Sequence, residues 1–294
     1  MEEQFVALPQ GRIYVAQMGQ GTPLLLLSGF STLFPHLEYG AVGDRLSARC
    51  RVLIPSKFGY GYSDITDTPR DADTIVEEYR AVLAALGIAP PVVLTAHSMG
   101  FLEALRWAQK YPEEVMALVG LDPATPEVYQ SFDLEGSLRQ IQRLSRPEWK
   151  RLITFRLVKK SLLSRYPPSL RRRLAPTAQR TFACLPWLNE SRALPDNVQT
   201  IVQAGAPASI PTLFLLSNGS GTPLPGDQWR KHALAYLDHF QTRRSRLFDL
   251  PHDLYRYQPE ELAEDILDFL DQVWDNDPPE EEEEAEPAPG EQEE

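Results

Sequence analysis

The chain has 294 residues, 43% of them hydrophobic and 24% charged, with a formal net charge of −12. That length buries one full α/β core with room for an insertion but not for two large domains, and the composition is that of a soluble globular protein. No apolar run approaches the roughly 20 residues that a membrane-spanning helix needs, so no transmembrane segment is expected.

The charge is local. Residues 275–294 hold eleven acids and no base, which leaves the remainder close to neutral. Their prolines and glutamates cannot build a core, so a disordered acidic tail is expected there, with solubility as its role. Nothing points to a nucleic-acid partner. The opening Met1-Glu2-Glu3-Gln4 lacks a basic, then apolar, leader pattern, so no secretory signal is expected. Cys50 and Cys184 lie far apart and lack metal-ligand spacing. They read as buried thiols, and a cytoplasmic setting is expected.

In chain order, residues 5–8 and 12–18 alternate as an antiparallel hairpin turning at Pro9-Gln10-Gly11. Leu24, Leu25, Leu26 and Leu27 form a buried strand that stops at Ser28-Gly29-Phe30. A helix is expected over 38–48, a strand over 51–55 and a helix over 74–86, ended by Gly87. The strand at 92–96 runs into His97-Ser98-Met99-Gly100, and a helical pattern follows at once. Another strand covers 115–121 and ends at Asp122-Pro123. Strand and helix alternating at this spacing predict an α/β fold, a mostly parallel sheet with helices on both faces.

Residues 123–205 break the rhythm. They are helical in pattern and carry 14 Lys and Arg against six Asp and Glu. Phe155, Leu157, Val158, Leu162 and Leu163 predict an amphipathic helix with solvated basic residues. That reading ranks ahead of an anionic substrate or an anionic membrane surface. Strands at 211–217 and 245–250 and helices at 228–240 and 260–274 then restore the alternation. The expected organisation is a core of 1–122 with 206–274, a helical cap of 123–205 over the carboxyl ends of the strands, and the tail.

The turn at Ser98 is the centre of the chemistry. A small residue, two others around a serine and a glycine, set between a buried strand and a helix, form a nucleophile elbow that lifts the hydroxyl above the sheet. Ala96 and Gly100 supply the small side chains. The Met99 amide, at the helix start, and the Phe30 amide, after Gly29, are the expected oxyanion donors, the glycine allowing close backbone approach. Serine needs a base held by a third group. Among five histidines, His252 follows the last strand and suits that role. His97 is expected to point elsewhere, His232 and His239 to sit on a helix surface, and His36 at most to line a pocket. For the acid, Asp122 directly ends a strand and ranks ahead of Asp227, which reads equally as a helix N-cap. Asp249 lies within its strand and suits the role less.

Residues 5–274 resemble the α/β-hydrolase superfamily, through Leu-Leu-Ser-Gly-Phe at 26–30, Phe-Gly-Tyr-Gly-Tyr-Ser-Asp at 58–64, Ala-His-Ser-Met-Gly at 96–100, Trp-Ala-Gln-Lys-Tyr-Pro-Glu at 107–113 and His252 before Pro259. Gly-Leu-Asp-Pro-Ala at 120–124 and Ser-Asn-Gly at 217–219 are similar to a branch of bacterial hydrolases of undefined substrate. The resemblance implies an α/β-hydrolase fold, Ser98 as nucleophile, His252 as base, and Phe30 and Met99 as oxyanion donors. Three features depart from the family pattern. Ser28-Gly29 stands for its His-Gly, Ala96 for its first elbow glycine, and no carboxylate lies at 219–223. The expectation is a serine hydrolase of an ester or similar acyl bond, acting on a small-molecule substrate without metal or cofactor. A haloperoxidase or acyltransferase on the same triad, or a non-catalytic binding protein, are the alternatives.

Overall fold

The computed structural model describes residues 1–131, 133–145 and 148–276. Strands β1 (Glu2–Leu8) and β2 (Gly11–Met18) form an antiparallel hairpin in which Leu8 pairs with Gly11. With β3 (Thr22–Leu27), β4 (Cys50–Ser56), β5 (Val92–His97), β6 (Val115–Leu121), β7 (Thr212–Leu216) and β8 (Arg243–Leu247) they make an eight-stranded sheet. Its order is β1-β2-β4-β3-β5-β6-β7-β8. β1 with β2 and β2 with β4 run antiparallel, and the other neighbours run parallel.

Parallel neighbours require crossovers, and these are helical. Helices α1 (Pro35–Glu38), α2 (Gly40–Leu46), α3 (Ala72–Ala85) and α4 (Gly100–Lys110) punctuate the first six strands. Between β6 and β7 lie α5 (Pro126–Gln130), α6 (Leu134–Leu144), α7 (Glu148–Ser164), α8 (Pro168–Thr181) and α9 (Leu185–Ala204), with no strand among the described residues. α10 (Gly226–Leu237) joins β7 to β8, and α11 (Pro259–Asn276) follows β8.

Side chains alternate across the central strands, so the apolar run at 24–27 feeds two cores at once. Leu25 and Leu27, with Leu94 and Ala96 of β5, pack under α3 and α4. Leu24 and Leu26, with Val93, face α2 and α11. Each such leucine contributes about 1.5–3 kcal/mol on burial. The Asp71 carboxylate starts α3 by accepting the Thr74 amide at 2.9 Å, which satisfies one of the helix's free donors.

Several elements depart from the sequence reading. The helix expected over 38–48 is two helices broken at the buried Tyr39. β8 begins two residues early and is largely exposed. The strand expected over 245–250 lies at 243–247 because an edge strand needs only backbone pairing, and its arginines guard the open edge. Arg246 pairs with Asp265 and Glu261 of α11. α11 also takes in Asp275 and Asn276, which the sequence reading gave to the acidic tail. The rest of that tail lies outside the described residues.

The α7 stripe is narrower than expected. Phe155 and Leu163 are buried, with Val158 and Leu162 packed beside them, but Leu157 is 79% exposed. At 3.6 residues per turn Leu157 falls on the opposite face from Phe155. Part of the local positive charge is structural. Arg151 donates to the carbonyls of Gln179, Arg180 and Phe182 at the end of α8. Arg180 donates to those of Gly61 and Ser63, and Arg171 to those of Ser164 and Tyr166. Guanidinium groups here satisfy the carbonyls that helix ends and loops leave unpaired.

Candidate active site

β5 delivers Ser98 to the carboxyl rim of the sheet, where the chain turns sharply into α4. The Ser98 backbone has φ +51°, a left-handed conformation that a side chain adopts only when its surroundings enforce it. The Ser98 amide donates to the Leu121 carbonyl at 3.3 Å, and its carbonyl accepts the Ala124 amide at 3.1 Å. Close packing dictates the glycines. A Cβ on Gly100 would lie 2.8 Å from the Ser28 carbonyl oxygen, and one on Gly29 3.0 Å from the Ser98 Cβ.

His252 stands over this turn. Its Nε2 is 2.9 Å from the Ser98 hydroxyl oxygen, and its Nδ1 is 2.5 Å from Asp122 Oδ2. The carboxylate faces Nδ1, so that nitrogen carries the proton and Nε2 presents its lone pair to the serine. The His252 amide donates to the Ser220 carbonyl at 2.8 Å, which pins the loop after β8 to the loop after β7.

Asp122 is fully buried and sits at φ +48°. Its Oδ1 accepts the Ser217 amide at 2.8 Å and the Trp229 indole at 3.0 Å, while Oδ2 accepts the Ser217 hydroxyl at 2.6 Å in addition to His252. Four donors thus compensate a buried charge that would otherwise be very costly. Ser217 and Trp229 escaped the sequence reading. The strand end searched for a carboxylate carries instead the hydroxyl that holds one. Asp227 lies in the first turn of α10, whose N-cap is Pro225, so the capping role considered for Asp227 is not the one it takes. Among the described residues no hydrogen bond links Asp227 to His252.

His97, expected to point elsewhere than the serine, lies against the base. Its ring lies 4.6 Å from that of His252, centroid to centroid, and its Nε2 is 3.3 Å from the His252 carbonyl. Burial, reinforced by His252, holds His97 well below the usual histidine range, so it is neutral. His36 is buried among Phe34, Tyr14 and Tyr62, away from Ser98, and burial pushes it down to about 4. His232 meets Ser131 at 3.3 Å, and His239 lies just beyond α10.

A cavity of about 340 Å³ opens beside Ser98. Phe30 and Met99 line it together with Ser98, while Tyr129, Leu138, Ile141 and Leu194 complete much of its apolar wall, and no lining side chain is charged. Among the described residues neither the Phe30 nor the Met99 amide donates to a protein acceptor. No group of three or more His, Cys, Asp or Glu side chains is arranged there to hold a metal.

Behind α4 a second set of charged groups is buried. Lys57 Nζ is 2.6 Å from Glu103 Oε1 and 2.7 Å from Glu190 Oε1. Burial pushes Glu103 up to about 7, with Glu190 adding to the effect and Lys57 opposing it. Burial alone would lower Lys57, but the two carboxylates outweigh it and raise the ammonium.

The family model for the alpha/beta hydrolase fold matches residues 22–171, from β3 through the elbow and into the helical insertion. The chain belongs to the α/β hydrolase family. This α/β hydrolase is 26% identical over 274 residues to the uncharacterised protein YbdG of Bacillus subtilis (strain 168), across 89% of this chain and 83% of that one. Shorter matches join it to the (lyso)-N-acylphosphatidylethanolamine lipase of Mus musculus, 31% over 135 residues, or 41% of this chain and 37% of the lipase. The 2-hydroxymuconate semialdehyde hydrolase of Pseudomonas putida is 32% identical over 140 residues, or 45% and 50%. The solved haloalkane dehalogenase DbeA-M1 loop variant from Bradyrhizobium elkanii superposes with a TM-score of 0.73 at 17% identity, covering 94% of this chain and 98% of its own. A laboratory-evolved potato epoxide hydrolase gives 0.74 at 19%, covering 92% and 99%. At those identities the likeness is one of fold. Among the described residues no helix is long and apolar enough to cross a membrane.

Proposed function

We propose that this α/β hydrolase is a serine hydrolase that cleaves an ester or similar acyl bond of a small, largely apolar substrate. The observation that carries the reading is the continuous relay from Ser98 through His252 to Asp122, with its serine end open to an uncharged cavity. His252 Nε2 takes the Ser98 proton as the hydroxyl oxygen attacks the carbonyl carbon. The carbonyl oxygen, now anionic, turns to the Phe30 and Met99 amides, each such donor worth roughly 3 kcal/mol in the transition state. His252 then returns the proton to the departing alkoxide, which leaves an acyl-serine. Water repeats the sequence: it loses a proton to His252, attacks the acyl carbon and releases the acid, and Ser98 regains its proton. Asp122 holds the imidazole in the required tautomer and stabilises the imidazolium.

The insertion at 123–205 acts as a cap that selects the substrate, because α5 and α6 supply Tyr129, Leu138 and Ile141 to the cavity wall. An apolar acyl group fits that wall, in keeping with the lipase and hydrolase names of two relatives. The uncharged lining favours a neutral ester over the anionic one that the basic cap suggested. The test is turnover of p-nitrophenyl esters. The native protein is expected to hydrolyse them and Ser98→Ala to fall to the buffer background with its fold intact. Equal turnover in the two proteins would leave the elbow as a structural turn.

A further inference from the structure

Phe30, the proposed oxyanion donor, sits in a turn that the Thr32 hydroxyl ties from within, by donating to the Gly29 carbonyl at 3.0 Å. Its neighbour Ser31 has φ +61°, so the surrounding structure must also hold the turn. Two contacts from one segment do so. The Gly61 amide donates to the Leu33 carbonyl at 2.9 Å, and the Ser31 amide donates to the Tyr60 hydroxyl at 3.4 Å. That hydroxyl in turn donates to Glu190 Oε2 at 2.8 Å. Glu190 belongs to α9, and its other oxygen meets Lys57, which also holds Glu103. Glu103 lies one turn beyond Met99 on α4, and the Tyr79 hydroxyl donates to its second oxygen at 2.9 Å. The aromatic rings follow the same route. Trp187 of α9 packs on both Phe30 and Tyr60. Met99 and Leu194 line both the substrate cavity and the small void beside Glu103 and Glu190.

This chain runs from one proposed oxyanion donor to the other by way of the insertion. Its charged and phenolic members are buried, with Lys57, Tyr60, Glu103 and Glu190 each less than 5% exposed. Buried ion pairs of this kind contribute little net stability over apolar packing, but they fix geometry when every oxygen is satisfied. Here Glu103 and Glu190 each accept a lysine N–H and a tyrosine O–H.

We propose that Tyr60, fixed by the Lys57–Glu190 pair, is a positioning residue that sets the Phe30–Ser31 turn, so that the oxyanion hole is formed only when α9 is seated on the core. The inference rests on the proposed hydrolase reading, and it adds a coupling between cap and catalysis. Tyr60 touches no reacting atom, so its effect falls on the transition state and not on substrate binding.

The test compares native protein, Tyr60→Phe and Glu190→Gln with a neutral p-nitrophenyl ester and with phenylboronic acid, which forms a tetrahedral adduct on an activated serine. Misplacing one donor without deleting it is expected to lower kcat by about tenfold and weaken boronate inhibition in parallel, with KM changed by less than about twofold. Tyr60→Phe removes a single oxygen. Glu190→Gln keeps an acceptor for Tyr60 but loses the charge that Lys57 holds, so each variant is read on its own. A change confined to KM or to melting temperature in both, with kcat and boronate affinity intact, overturns the brace alone. Native protein that neither turns over ester nor binds the boronate overturns the hydrolase reading and the brace with it.

Discussion

Asp122 combines a left-handed backbone, complete burial and four donors on two oxygens. Such a carboxylate cannot turn away from His252 without abandoning its other partners. Asp122→Asn keeps the shape but replaces an acceptor with a donor toward Nδ1, which forces the wrong tautomer. Turnover is expected to fall by about 10⁴ with the fold retained. Asp227→Asn, at an exposed first turn, is expected to leave turnover unchanged. Assaying the two side by side separates them, and a fully active Asp122→Asn would contradict the assignment. Position relative to strand ends brought Ser98 and His252 forward in the sequence and ranked Asp122 ahead of Asp227, and the His252 ring lies within hydrogen-bond reach of both Ser98 and Asp122. Ser217, Trp229 and His97 were not legible in this way. Their contacts depend on where loops from β5, β7 and β8 converge, and no local periodicity encodes that.

At the scale of elements, the proposed substrate selectivity rests on the cavity wall that α5 and α6 share with the sheet end. α5 and α6 reach the cavity through residues that are ordinary apolar positions in sequence, which is why no single one stood out. Ile141 of α6 lines the cavity wall. Ile141→Trp is expected to shorten the usable acyl pocket, raising KM for an octanoate ester severalfold while leaving a butyrate ester nearly unaffected. Equal effects on both esters would place Ile141 outside the acyl path. The strands were legible because the mostly apolar runs at 24–27 and 92–96 are buried on both faces of the sheet, whereas β8, an exposed edge, lacked that signal. Leu157 was misplaced for a related reason: a run of apolar residues shows that a helix is amphipathic, but one residue off phase faces solvent.

Across the whole molecule, buried titratable groups make stability depend on pH in opposing directions. His36, lowered from its usual 6.5 to about 4, stays neutral in the fold while the unfolded chain takes up a proton. Its contribution is full above pH 6.5 and is lost as pH falls toward about 4, an effect of about 3 kcal/mol. Glu103, raised from 4.5 to about 7, has the opposite sign. Its contribution is full below pH 4.5 and is lost as pH rises through about 7. Denaturant unfolding of His36→Phe should therefore show a shallower loss of stability than the native protein between pH 6.5 and 4. Parallel curves would mean that His36 does not hold this shift. The −12 charge of the sequence gave no hint of these groups, since each is compensated or neutralised inside the fold. Activation of Ser98 by its neighbours is open to labelling with a fluorophosphonate followed by peptide mass mapping. One phosphonyl group is expected on the peptide containing Ser98, absent in Ser98→Ala and strongly slowed in Asp122→Asn. Native protein left unlabelled, or labelled at another residue, would contradict that activation.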